Sequence, residues 1–184
     1  MKKVTAGVLC AAMAVSSMTV PVMAASDEMV LYTWEGMFPE EVLEGFEEET
    51  GVKIVDDYAH HPTEIKATLE ACQNVPHNKL WCLFQPHTYT RTLALFDDFA
   101  DAFQKADELV LAEIYAAREK NIYKISSASL AEKIKECHPE KKVSFMESFD
   151  EIADYVYQNA QNGDLVLTMG AGDIYKVGEI LLNK

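Results

Sequence analysis

Short runs of apolar residues alternate along the chain with longer segments in which apolar positions recur every three or four residues. The short runs predict buried β-strands at residues 52–55, 80–84, 109–114, 143–146 and 165–169. The longer segments predict helices, whose inward-facing residues are Ile65, Leu69 and Cys72; Leu95, Phe96, Phe99 and Phe103; Leu130, Ile134 and Cys137; Ile152 and Val156; and Ile174, Val177 and Leu181.

Strands that are separated by helices of this length form a mostly parallel sheet, because each crossover returns the chain in the same direction. The sequence therefore predicts an α/β fold, a Rossmann-like three-layer domain with a mostly parallel sheet of five to six strands.

Several helix starts have recognisable signals. Pro62 suits the first position of a helix, where its missing N–H would have no partner, and we interpret His61 as a structural residue of that helix start. Ser148 and Glu151 predict a capping box for the fourth helix. Asp173 is the predicted cap of the last helix.

Polar residues gather where the predicted strands end. They are Asp57, Tyr58, His60 and His61 after the first strand, His87, Tyr89 and Arg91 after the second, and residues 170–173 after the fifth. Because the carboxyl ends of parallel strands lie at one edge of a sheet, and ligands of open α/β sheets bind there, we expect one shared site.

Two of these groups have simpler alternatives. His60, His61 and Glu64 suggest a metal cluster, but adjacent histidines do not share a helix face and no further ligand is suitably spaced, so we predict no metal. The turn formed by Gly170, Ala171 and Gly172 can receive an anion at the start of a helix. It is equally a simple tight turn between a strand and a helix.

The first residues have the form of a secretory signal peptide. Lys2 and Lys3 precede an apolar run, and residues 21–24 form a small-residue cleavage pattern with Val22 and Ala24 at its key positions, so we predict a leader at 1–24 that directs export. The alternative is an N-terminal membrane anchor, but the run contains several small and polar residues and we expect no stable membrane span.

Charge and cysteine content exclude some functions. The net charge of -14 argues against nucleic acid or an anionic membrane as partner, since both require a basic surface. Cys10, Cys72, Cys82 and Cys137 are widely spaced, so they indicate neither a disulfide framework nor a CxxC zinc site.

Three stretches carry a family resemblance: DDYAHHPTEIKATLEA, FQPHTYTRTLALFDDFADAF and GDLVLTMGAGDIYKVGE. In this order they resemble the C-terminal domain of the Mur ligases of the UDP-N-acetylmuramate–L-alanine ligase type, and the resemblance covers residues 51–184. It implies a cytoplasmic enzyme of peptidoglycan biosynthesis that joins UDP-N-acetylmuramate to L-alanine with ATP and magnesium. The chain has no G-x-x-x-x-G-K-[ST] phosphate loop, so we expect a truncated ligase that is inactive alone.

The resemblance also implies roles for the residues of the strand-end loops. Asp57 is implied to approach the ribose of ATP, and Gly170, Gly172 and Asp173 to lie at the cofactor. Tyr58 and His60 are implied to face the reaction centre.

Substrate binding is implied for His87, Tyr89 and Arg91, with Arg91 on the carboxylate of L-alanine. A guanidinium suits that task because its planar fork meets a carboxylate with two hydrogen bonds. Many relatives have an arginine where Thr88 stands, and its absence here removes one charge-assisted contact.

Residues 29–55 instead resemble the mature start of spermidine/putrescine-type solute receptors, in which Trp34 and Glu35 would lie near a cationic ligand. Because only a small part of such a receptor is present, we expect that Trp34 simply packs. We therefore predict a fusion of a receptor-like segment at 25–50 with the ligase domain, joined at the pentapeptide 51–55. The alternative functions are an exported polyamine-binding receptor fragment and a structural α/β module without a ligand.

Overall fold

The computed structural model describes residues 46–184. Its strands are β1 (Lys53–Asp57), β2 (Leu80–Phe84), β3 (Glu108–Leu111), β4 (Lys142–Phe145) and β5 (Leu165–Met169). Its helices are α1 (Pro62–Cys72), α2 (Tyr89–Ala94), α3 (Phe96–Ala100), α4 (Ser127–Cys137), α5 (Phe149–Asn159) and α6 (Tyr175–Leu182). The predicted leader and most of the receptor-like segment, with Trp34 and Glu35, lie outside the described residues.

The strands form one parallel sheet in the order β1-β5-β2-β3-β4. Every residue of β2 and of β5 is buried, as expected for central strands covered on both faces. The predicted α/β fold with a parallel sheet is confirmed. Because β5 lies between β1 and β2, the loops that follow these three strands are neighbours at the carboxyl edge.

Alternate residues of the strands supply two separate cores. Leu80, Cys82 and Phe84 point to one face, where they join the apolar residues of α1, α3 and α4. Trp81 and Leu83 point to the other face, which α5 and α6 cover. Helices on both faces of one sheet give the three layers that the sequence predicts.

Most of the apolar helix faces that the sequence predicts are buried. The structure differs from the prediction at Cys137 and in the extent of the second helix. Cys137 was predicted to face inward but is exposed, because it is the last residue of α4 and lies beyond the packed part of that helix. The predicted second helix is divided into α2 and α3 at Leu95, whose backbone leaves the helical region with φ -113 and ψ 22. Phe99 and Phe103 beyond the break still pack on Phe84, with ring centroids 5.7 and 5.1 Å away.

The helix starts follow the sequence in part. His61 caps α1, since its Nδ1 accepts a hydrogen bond from the backbone N–H of Thr63 and the Glu64 side chain completes a capping box. Ser148 caps α5 by accepting the N–H of Glu151 at 3.1 Å. The predicted cap by Asp173 is wrong, because α6 starts after Ile174 and the Asp173 carboxylate instead accepts from Lys176 Nζ at 3.1 Å.

Residues 46–50 are helical and lie against the domain. Phe46 packs against the core beneath α5 and α6, and Thr50 Oγ1 donates to the carbonyl of Phe46 at 2.7 Å. Gly51 follows with a φ of +68, a backbone conformation that favours glycine at this turn. The boundary between the receptor-like segment and the ligase domain stays a prediction.

Within residues 46–184, no helix combines the length and the apolar character that a membrane span requires.

Candidate functional site

A row of aromatic rings crosses the carboxyl edge of the sheet. Tyr58 and His60 follow β1, with ring centroids 5.4 Å apart. His60 lies 5.8 Å from His87, which follows β2, and His87 lies 5.6 Å from Tyr115 in the loop after β3. The structure therefore brings together Tyr58, His60 and His87, which the sequence predicted to share one site, and adds Tyr115.

Asp57 organises the turn between β1 and α1. Its Oδ1 accepts from the backbone N–H of Ala59 at 2.7 Å, and its Oδ2 accepts from Thr68 Oγ1 at 3.1 Å. Each carboxylate oxygen has two lone pairs, so these bonds leave acceptor capacity for a ligand hydroxyl. These hydrogen bonds are compatible with the ribose contact expected of Asp57. They also give Asp57 a structural role in the turn between β1 and α1.

The preceding carboxylate has a different environment. Asp56 is buried, and its Oδ1 accepts from Thr168 Oγ1 on β5 at 2.6 Å. Burial raises the pKa of Asp56, the hydrogen bond from Thr168 opposes the rise, and the nearby charge of Asp57 adds to it. Of the two adjacent acids, Asp57 is therefore the one that faces the site.

His60 is oriented by its own turn. Its Nδ1 lies 3.0 Å from the carbonyl oxygen of Tyr58, and because a carbonyl only accepts, this nitrogen carries the proton. When the imidazole carries a single proton at Nδ1, its Nε2 atom is the acceptor. Glu64 Oε2 lies 3.6 Å from Nδ1 and accepts the backbone N–H groups of His60 and His61, which lowers the pKa of Glu64.

His87 holds Arg91 in place. Arg91 Nη1 lies 3.3 Å from His87 Nδ1, and because a guanidinium only donates, this nitrogen of His87 is the acceptor. Burial lowers the pKa of His87, as do the charges of Arg91 and His60, while Glu119 opposes them. The lowered pKa favours the neutral imidazole, the form in which Nδ1 accepts from Arg91 and can orient it. Tyr89 is the half-buried first residue of α2 and lies between His87 and Arg91 in the sequence.

The start of α2 is tied to the loop after β3. Thr88 has an unusual backbone, φ 65 and ψ 144, and its N–H donates to the carbonyl of Tyr115 at 2.9 Å. Glu119 Oε2 accepts from the N–H of Thr90 at 2.9 Å, and its Oε1 bonds the Thr90 hydroxyl. These contacts fix the helix that carries Arg91.

The turn after β5 closes the other side of the site. The N–H of Gly170 donates to the carbonyl of Asp57 at 3.0 Å, and the N–H of Asp173 donates to Gln85 Oε1 at 2.8 Å. Gly172 packs so closely that an added Cβ would lie 2.2 Å from Gln85 Oε1 and 2.9 Å from the Tyr115 side chain. Two backbone donors of the predicted anion-binding turn are thus already paired within the protein.

Sequence reasoning missed Gln85, Tyr115 and Glu119. Gln85 is the first residue after β2, and Tyr115 and Glu119 lie in the loop after β3, from which no residue was assigned to the predicted site. Searching the loop after every strand for polar and aromatic residues would have found all three.

Metal-binding groups are absent from the part of the chain that the structure describes: no three His, Cys, Asp or Glu side chains are grouped to hold an ion. Glu64, the acid of the suspected cluster, is used at the start of α1.

Comparison with known proteins identifies the domain. Residues 43–172 match the family described as Mur ligase, glutamate ligase domain. UDP-N-acetylmuramate–L-alanine ligases of Clostridium botulinum (strain Langeland) and Lachnospira eligens are each 57% identical to this chain over 132 residues. Each match covers 72% of this chain and 28% of the relative, so the chain spans little more than a quarter of the length of these curated relatives.

A solved structure agrees with these matches. The UDP-N-acetylmuramate–alanine ligase of Thermotoga maritima superposes with a TM-score of 0.58 at 28% identity, covering 73% of this chain and 27% of that one. The alternative of a polyamine receptor has no support from these matches. Because the family match covers well over half of the residues, the chain belongs to the Mur ligase family and carries its glutamate ligase domain.

Proposed function

We propose that residues 51–184 are the amino-acid-binding C-terminal domain of a UDP-N-acetylmuramate–L-alanine ligase, a cytoplasmic enzyme of peptidoglycan biosynthesis. The identity of 57% with ligases of that name supports this specificity within the family. The parts of those relatives that this chain does not cover would provide the sites for UDP-N-acetylmuramate and for the phosphates of ATP. The domain alone is then a binding module and not a complete enzyme.

The observation that carries the proposal is the contact between Arg91 and His87. A neutral His87 accepts from Arg91 Nη1 at 3.3 Å, which leaves the other donors of the planar guanidinium for a ligand. A carboxylate is the group that such a fork binds best, because two parallel N–H···O bonds form at once. L-Alanine provides this carboxylate.

His60 is the residue that we assign to the amino group of L-alanine. With the proton on Nδ1 bound to the carbonyl of Tyr58, its Nε2 can accept a proton from the ammonium group, which must lose one before it can attack. Tyr58 lies against His60 and is exposed, so it covers this side of the site. His87 and Tyr89 complete the substrate side.

ATP supplies the energy of amide formation in such a ligase by activating the carboxyl group of the sugar substrate. We assign Asp57 to the ribose of ATP. We assign the turn with Gly170, Gly172 and Asp173 to the protein surface beside the bound ATP. Acceptor capacity at Asp57 supports the first assignment. The triphosphate and its magnesium would depend on the rest of the ligase, since this chain lacks a phosphate loop.

A domain graft tests the proposal. Residues 51–184 would replace the matching C-terminal domain of the Clostridium botulinum ligase, and steady-state kinetics would compare Arg91→Ala, His60→Ala and the surface control Lys105→Ala. Arg91→Ala should chiefly raise KM for alanine. The rise should correspond to a loss of about 1.5 to 3 kcal/mol in binding free energy, the contribution of a hydrogen bond to a charged group. His60→Ala should lower kcat.

An active graft whose alanine KM is unchanged by Arg91→Ala would refute the carboxylate assignment. A graft that is folded but has no alanine-dependent activity with Arg91 and His60 intact would favour the structural module without a ligand.

A further inference from the structure

Gln85 is a buried polar residue whose side chain joins three loops of the site. Only 5% of its surface is exposed. Its Oε1 accepts from the N–H of Asp173 at 2.8 Å, and its Nε2 donates to the carbonyl of Glu113 at 3.3 Å. A single amide thus links the end of β2 to the loop after β3 and to the turn after β5.

This link determines how closely the loops approach each other. Gly172 lies against both Gln85 Oε1 and the side chain of Tyr115, with no room for a Cβ. Tyr115 in turn stacks on His87, with the ring planes 21° apart. A continuous series of contacts therefore runs from Gln85 through Gly172 and Tyr115 to His87, the residue that orients Arg91.

We infer that Gln85 is a positioning residue: its amide holds the turn at 170–173 against Tyr115, and so sets the distance between the proposed ATP side of the site and the proposed amino-acid side. The inference rests on the proposed function for what these sides bind. It requires a neutral group that donates at one end and accepts at the other, which methionine and an ionised glutamate of similar length do not provide.

The test uses the full chain, labelled for NMR, with Gln85→Met, Gln85→Glu and the control Gln104→Glu, which makes the same charge change at an exposed site. Gln85→Met should remove the protection of the Asp173 amide against hydrogen exchange and shift the ring signals of Tyr115 and His87. Ionised Gln85→Glu keeps an oxygen that accepts the N–H of Asp173 but has no donor for the carbonyl of Glu113, so it should shift the Tyr115 and His87 signals while the Asp173 amide stays protected. On acidification, a protonated carboxyl can again donate to Glu113, so its Tyr115 signals should return toward those of Gln104→Glu at the same pH.

A merely structural Gln85 predicts a different result. The variants would then lower the unfolding midpoint but leave the Tyr115 and His87 signals of the folded protein unchanged, and Gln85→Glu would show no recovery at low pH. Either observation overturns the inference. If Gln85→Met does not fold, the pH dependence of Gln85→Glu still decides between the two.

The NMR experiment needs no ligand, so it is independent of the proposed function. In the grafted ligase, Gln85→Met should lower kcat/KM by up to roughly 100-fold, the effect of a small misplacement of reacting groups. An inactive graft with Gln85 intact would count against the proposed function alone. An active graft that Gln85→Met does not impair would count against Gln85 as a positioning residue.

Discussion

The ring of Tyr115 stacks on the imidazole of His87, with centroids 5.6 Å apart and planes 21° apart. The backbones of the two loops are also joined, since the N–H of Tyr115 donates to the carbonyl of Pro86 at 2.8 Å. Because His87 accepts a hydrogen bond from Arg91, the orientation of Arg91 depends on a residue in a different loop.

The stack should therefore influence the titration of His87. Tyr115→Ala exposes one face of the imidazole, and because burial is the main cause of the lowered pKa of His87, that pKa should rise toward its ordinary value. Tyr115→Phe keeps the ring and should leave the pKa of His87 almost unchanged. A histidine NMR titration of both variants measures this, and an unchanged pKa in Tyr115→Ala would show that the stack does not shield His87.

The lowered pKa of His87 also predicts a pH dependence of stability. In the unfolded chain the group titrates near its ordinary value of 6.5, whereas the folded state binds a proton only at lower pH. The unfolded state then holds more protons in this window, so the contribution of His87 to stability is present above pH 6.5 and is lost as the pH falls toward the folded value.

Urea unfolding of the full chain between pH 5 and 7.5 checks this, with His87→Gln as the matched variant. The wild-type protein should lose more unfolding free energy on acidification than the variant does. Equal losses in the two proteins would mean that His87 does not contribute.

Asp56 should behave in the opposite sense. Burial raises its pKa above the ordinary 3.8, so the folded state holds more protons than the unfolded state, and the carboxylate costs stability as pH rises through this window. Asp56→Asn keeps an acceptor for Thr168 and buries no charge, so it should increase the free energy of unfolding at pH 7. Thr168→Val, which removes the donor, should instead destabilise the protein by about 1 to 3 kcal/mol.

The gain from Asp56→Asn should shrink on acidification, because wild-type Asp56 then becomes neutral as well. Denaturant unfolding at pH 7 and at pH 4 measures both values. A variant that is less stable than the wild-type protein at pH 7 would contradict the prediction.

Restoring a second cation at position 88 should strengthen alanine binding. Thr88 directly precedes the helix of Arg91, and its φ of 65 is strained for any residue with a Cβ, so Thr88→Arg adds no new backbone strain. A second charge-assisted contact is expected to contribute about 1.5 to 3 kcal/mol to carboxylate binding. Thr88→Gln has similar reach without charge and is the control.

The measurement is the alanine KM of the grafted ligase. Equal KM values for Thr88→Arg and Thr88→Gln would show that position 88 does not face the carboxylate.

Much of this architecture follows from local patterns. The sequence correctly predicts the burial of Ile65 and Leu69 in α1 and the bounds of β5. In both elements the spacing of apolar residues in the sequence matches the residues that are buried in the structure. The shared edge is predicted because parallel strands place their carboxyl ends together, and His60 and His87 do lie 5.8 Å apart. These features need no knowledge of how individual loops are shaped.

Loop contacts were not predictable in the same way. Gln85 follows a fully buried strand, and only the three-dimensional approach of Glu113 and Asp173 shows that its amide joins two loops. Cys137 continues the apolar period of α4, yet the helix ends there and leaves it exposed. Periodicity does not determine where an element ends or which loop contacts another.

The central claim is that Arg91, held by His87, binds the carboxylate of an amino acid. NMR of the full chain during titration with L-alanine tests it directly, with L-alaninamide as a matched ligand that lacks the carboxylate. We predict saturable shifts of the Arg91 side-chain N–H and His87 ring signals with L-alanine, none with L-alaninamide, and none at His87 with L-alanine in Arg91→Ala. Equal shifts from the two ligands, or unchanged His87 shifts in Arg91→Ala, would contradict the account.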